Sequence, residues 1–133
     1  MTKREILSKL LIQPKKLTVK GGFLKKNVSA PIYTNVDTTM DYLLGLAGFE
    51  NKPKLVWYDT DAAVLSIGKE EFEEKEYIFV NDEEYFLDIS EDNVLIVGKD
   101  EKAMLLGLKA FIRINEELGE MPQMVIDDYP NIP

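Results

Sequence analysis

The sequence predicts an α+β domain: a mixed β-sheet with two helices packed on one of its faces. Three observations carry this. The apolar periodicities follow the order strands, helix, several strands, helix, strand. The segment from Glu101 to Leu118 has an apolar arc broad enough to lie across a sheet. Two alternating runs around Ser90-Glu91-Asp92-Asn93 form the clearest hairpin in the chain.

Each element has a local cause. Lys3 to Leu11 reads as a short helix that must end before Pro14. Leu17 to Lys20 alternates, Gly21-Gly22 supplies a turn, and Val28 to Thr34 is a second strand whose Pro31 favours a sheet edge, so the chain opens like a hairpin. Asp37 is the expected N-cap of a helix over Thr38 to Ala47, with Met40, Leu43, Leu44 and Ala47 on one face and Gly48 as its stop. Lys54 to Tyr58 and Ala62 to Ile67 are strands around the turn Asp59-Thr60-Asp61. Tyr85 to Ile89 and Val94 to Val97 make the hairpin, and Asp100 caps the long helix. That helix buries Met104, Leu105, Leu108, Phe111, Ile112, Ile114 and Leu118, with Lys102, Lys109, Arg113 and Glu116 opposite. Gly107 falls on the apolar side, where a missing side chain lets the helix approach the sheet; Gly119 ends the helix.

Residues 1–133 amount to one domain, long enough to bury a core without metal or disulfide staples. With 45% hydrophobic and 30% charged residues, the composition is that of a folded chain. The absence of Cys and His removes disulfides, thiol nucleophiles, and the commonest acid/base group and zinc ligand. Residues 1–26 hold eight Lys/Arg and one acid, whereas residues 27–133 hold eight and 23. An acidic body repels phosphate backbones, so no nucleic-acid partner is expected; Lys15, Lys16, Lys20, Lys25 and Lys26 read as guards of edge strands. The N-terminus lacks the apolar core and cleavage site of a signal peptide, and no apolar run has membrane-spanning length. With Met1 taken as the natural start, a cytoplasmic location and no membrane partner are expected.

The candidate chemistry is sparse. Glu70, Glu71, Glu73, Glu74 and Glu76 lack the alternating oxygen donors of a calcium loop and read as a solvated face, so no metal is assigned. Asp59 with Asp61, or Asp127 with Asp128, could stand for the paired carboxylates of a glycosidase, but neighbours on an extended segment point in opposite directions. Val97-Gly98-Lys99-Asp100 lacks the upstream Gly and the Ser/Thr of a phosphate loop, and no cofactor is assigned. Asn27-Val28-Ser29 is a glycosylation sequon without a secretory signal. Trp57, Tyr58 and Tyr77 could stack on a sugar, although strand aromatics more often belong to a core. From Met124 the chain runs as an apolar strand into a proline-punctuated tail, where Tyr129 and Ile132 are expected to be exposed toward a neighbour.

Three segments carry a resemblance to a known family. Ile12 to Phe23 resembles the opening segment of the N-terminal domain of bacterial β-N-acetylhexosaminidases, of the glycoside hydrolase family 20 type. Asp100 to Phe111 is similar to that family's helix, with Lys109 and Ala110 where its pattern has Gln and Thr. Ile126-Asp127-Asp128-Tyr129-Pro130 resembles the segment that leads into the catalytic barrel, although Asn131-Ile132-Pro133 lacks the Arg-Gly that usually follows. The resemblance implies a sheet with two helices in front of a (β/α)-barrel that hydrolyses N-acetylhexosaminides and holds the catalytic Asp-Glu pair.

No catalytic residue transfers to this chain. The expectation is a non-catalytic accessory domain whose partner is the barrel of the same polypeptide. Residues 127–133 would form the linker, and Asp127, Asp128, Tyr129, Pro130 and Ile132 the interdomain interface. The alternative is a free-standing glycan- or protein-binding module acting through Trp57, Tyr58, Tyr77 or Tyr129.

Overall fold

The computed structural model describes residues 1–74 and 77–130 as a mixed α+β fold with seven strands and three helices. In chain order these are α1 (Lys3–Lys9), β1 (Lys16–Phe23), β2 (Ile32–Thr34), α2 (Asp41–Leu46), β3 (Lys54–Leu55), β4 (Ala63–Ile67), β5 (Tyr85–Ile89), β6 (Val94–Gly98), α3 (Glu101–Leu118) and β7 (Pro122–Asp128). The sheet order is β1-β7-β5-β6-β4-β2-β3. Every pair is antiparallel except β2 with β3.

Strand alternation divides the apolar residues between two faces. Leu65, Ile67, Leu87, Ile89, Val94, Ile96, Met124 and Ile126 meet Met104, Leu108, Phe111 and Ile114 of α3, while Ile6 of α1 and Leu44 of α2 close the same core. The prediction of two helices on one face therefore becomes three. Thr2 and Glu5 form a capping box that makes seven residues sufficient for α1, and Ile6 anchors it.

The other face carries Val64, Leu95 and Val97 under a strap from the β4–β5 connection, with Phe72, Tyr77 and Phe79 packed on them beside Tyr58. The rings interlock: Tyr58–Phe72 centroids are 5.4 Å apart, Tyr77–Phe86 5.2 Å and Phe79–Phe86 5.6 Å. Glu70, Glu71, Glu73 and Glu74 are exposed along this strap; Glu76 lies outside the described residues.

Several sequence expectations are corrected. Gly21-Gly22 is not a turn but lies inside β1, with φ of +91° and +79°, where the register with β7 slips between Val19 and Phe23. Only glycine takes such angles freely, so the pair makes an irregularity within the strand rather than a reversal. The opening hairpin therefore does not form, because β1 pairs with β7 at the far side of the sheet from β2. The strand expected over Val28 to Thr34 shortens to Ile32–Thr34, with Pro31 just before it. The helix expected from Thr38 begins at Asp41 with Met40, not Asp37, at its cap; Met40 makes no side-chain capping bond, and its side chain is buried in the core instead. Only Lys54–Leu55 of the run to Tyr58 pairs, and since β2 separates β3 from β4, Asp59-Thr60-Asp61 joins no hairpin.

Candidate functional site

The segment singled out by sequence, Asp127 to Pro130, leaves the sheet between β1 and β5. Alternation sends its two carboxylates to opposite faces, as extended backbone requires. Asp128 belongs to the helix-bearing face. Its Oδ1 accepts from the backbone N–H of Lys15 at 3.2 Å and of Tyr129 at 2.9 Å, and its Oδ2 accepts from the Tyr85 hydroxyl at 3.4 Å. Burial, then the Asp128 charge, raises the Tyr85 phenol well above its ordinary value. Tyr129 is half-buried rather than exposed, with the Lys15 ammonium 5.1 Å from its ring centroid. Pro130 is likewise half-buried, and Ile132 lies outside the described residues.

Asp127 belongs to the other face, where it meets a residue that sequence reasoning passed over. Glu84 is only 3% exposed, and its Oε1 accepts from the backbone N–H groups of Val80 (2.8 Å) and Asn81 (2.9 Å). Its neighbour Glu83 takes φ of +58°, a left-handed turn that presents Glu84 to the sheet. Asp127 Oδ1 is sealed from solvent with no donor, and Lys16 Nζ stands 3.8 Å from Oδ2. Burial, then a hydrogen bond with Glu84 and the Glu84 charge, raises the Asp127 carboxyl to about 7; Lys16 opposes the shift and Asp128 adds to it. Burial alone would raise Glu84, but the hydrogen bonds from Asp127, Val80 and Asn81 outweigh it and hold Glu84 below its ordinary value. The two thus share one proton near neutrality, with Asp127 donating and Glu84 accepting.

On the helix-bearing side a cavity of about 470 Å³ opens between α3 and the segment after α1. Gln13, Lys15, Lys109, Arg113, Tyr85, Asp128 and Tyr129 supply its polar and aromatic lining. Lys109, Arg113 and Leu106 lie three or four residues apart on α3, so helical spacing gathers them in one column. That spacing was the available signal. The polar face assigned to Arg113 is corrected: the residue is half-buried, and its Nε has no acceptor.

Of the aromatics named for sugar stacking, Tyr58 donates to the Glu70 carbonyl, and Tyr77 is held between Phe72 and Phe86. Trp57 is 82% exposed beside a hollow of about 490 Å³ lined by Asn35, Asp37, Leu55 and Thr60. Among the described residues, no group of three or more His, Cys, Asp or Glu side chains is placed to hold a metal ion, and no helix is long and apolar enough to cross a membrane. Comparison with protein-family models, curated proteins and solved structures finds no match.

Proposed function

We propose that this chain is a non-catalytic accessory domain of a glycoside hydrolase, of the β-N-acetylhexosaminidase class, that buttresses a catalytic barrel through its helix-bearing side. The supporting observation is the set of large apolar side chains left exposed there: Leu11 (86%) and Ile12 (57%) after α1, with Tyr42 (78%) and Leu46 (49%) on α2. Apolar groups on the layer that covers the core favour a further packed layer. The mixed sheet with helices on one face is of the α+β class that the resemblance implies, with three helices where it implies two, and Asp127 to Pro130 lies where the chain leaves that sheet. Buttressing is a stability function, so its signature is thermal rather than kinetic.

The natural polypeptide is expected to hydrolyse 4-nitrophenyl N-acetyl-β-D-glucosaminide, whereas residues 1–133 alone give no turnover. Removal of residues 1–130 is expected to lower the melting temperature of the remainder. Turnover by the 133-residue chain, or a remainder that melts and works unchanged, rejects the reading.

Exposure of Trp57 favours a second reading, a glycan-binding module in which the indole stacks on a sugar ring. Trp57 is the sole tryptophan of the sequence, so its fluorescence reports this one place. Titration with N-acetylglucosamine oligomers is expected to leave the emission unchanged for a buttress; a saturable shift abolished by Trp57→Ala would establish the module instead.

A further inference from the structure

We infer that the cavity beside Tyr129 is a socket for one carboxylate, an aspartate or glutamate side chain of the barrel against which this domain packs. The inference rests on the accessory-domain reading and names the chemistry of its contact. Three cationic side chains, Lys15, Lys109 and Arg113, line the cavity against a single acid, Asp128. That acid is already engaged by two backbone N–H groups and the Tyr85 hydroxyl. Lys15 stands 4.0 Å from Asp128, whereas neither Lys109 nor Arg113 has an ion pair among the described residues. Arg113 is half-buried along the cavity wall, and its Nε, sealed from solvent, has no acceptor among the described residues.

The guanidinium fork suits a planar carboxylate, and Ile12, Leu106 and Pro130 form an apolar rim for the stem that carries it. A polyanion is disfavoured, because the chain carries a net charge of −8 around this small basic spot. A tethered carboxylate is favoured over a free one. In the accessory-domain reading the linker toward the barrel passes Pro130 on the cavity wall, and tethering provides a local concentration on the order of millimolar.

The test is calorimetry of the natural polypeptide and of residues 1–133, each as wild type, Arg113→Gln and Lys109→Gln. Wild-type polypeptide is expected to melt in one coupled transition. Arg113→Gln is expected to weaken that coupling on the order of thirtyfold, Lys109→Gln less, with the loss smaller in high salt. In residues 1–133 alone, both variants are expected to melt as wild type does. If the coupled transition persists unchanged in both variants, the socket is rejected while the buttress stands. If Arg113→Gln destabilises the isolated chain equally, the arginine serves only its own domain, and the socket is rejected. Two independent transitions in the wild-type polypeptide reject both the socket and the buttress.

Discussion

Gly98→Ala is expected to destabilise the fold by about 3 kcal/mol, the upper range for overpacking, and to lower the melting temperature by about 10 °C. A methyl group at Gly98 would lie 2.7 Å from Met104 Cα and 2.8 Å from the Ala103 carbonyl carbon, and closer still to the Met104 nitrogen. These are backbone atoms in the first turn of α3 and have no rotamer by which to move aside. The helix cannot pivot away either, because Met104 and Leu108 are fully buried against the sheet. Gly107→Ala provides the internal control. Its methyl would meet Ile96 Cγ2 at 2.6 Å and Tyr85 ring carbons at 3.1 and 3.3 Å, all side-chain atoms. Alanine also recovers roughly 1 kcal/mol of helix propensity there, so the net loss is expected to be about 1 kcal/mol. Thermal melts of both variants check the contrast; a Gly98→Ala protein as stable as Gly107→Ala contradicts the close backbone approach.

The second large effect is a dependence of stability on pH. Asp127 rises from 3.8 in the unfolded chain to about 7 in the fold. Between those values the folded state holds a proton that the unfolded state has lost, so stability falls as pH rises through the window and levels off above 7. Glu84 acts in the opposite sense: its lowered folded value gives stability that is present above about 4.5 and lost on acidification. The pair's contribution is therefore expected to peak between the two unfolded values, 3.8 and 4.5, and to fall steadily above them. Screening by Lys16 and by solvent reduces the Asp127 effect to about 2 kcal/mol. Without histidine, few other groups titrate between pH 5 and 8, so the slope there belongs largely to this pair. Asp127→Asn keeps a donor toward Glu84 without the proton equilibrium. It is expected to flatten urea-derived stability from pH 5 to 8 and to exceed wild type by about 2 kcal/mol at pH 8. An unchanged slope in the variant would falsify the shared proton.

What the sequence made legible is what local chemistry dictates. Asp100 donates no bond but accepts one from the Ala103 N–H, Gly119 ends the helix at φ +79°, and the 3.6-residue period between them leaves α3 little alternative. The β5–β6 hairpin was equally plain, since its strands are adjacent in sequence and in the sheet. The aromatic strap was hidden because Phe72, Tyr77 and Phe79 are interspersed with glutamates and follow neither a 2.0 nor a 3.6 period. The turn assigned to Gly21-Gly22 failed because glycine permits a reversal and a strand irregularity alike, and only the partner strand decides. The candidate site shows the same division. Opposite orientation of Asp127 and Asp128 follows from alternation alone, whereas the meeting of Asp127 with Glu84 depends on the β5–β7 register. No local pattern encodes that register.

The position of β7 also dictates an order of events during synthesis. Its partners are β1, the first strand made, and β5, and the bond between Lys15 and Asp128 spans 113 positions. Until residues 122–128 leave the ribosome, β1 has no strand to pair with and β5 presents an open edge. Closing so long a loop is slow, and the nascent chain must keep both edges from pairing with other chains meanwhile. Lys16 and Lys20, exposed along β1, are charges of the kind that discourage such pairing while the strand waits for its last neighbour.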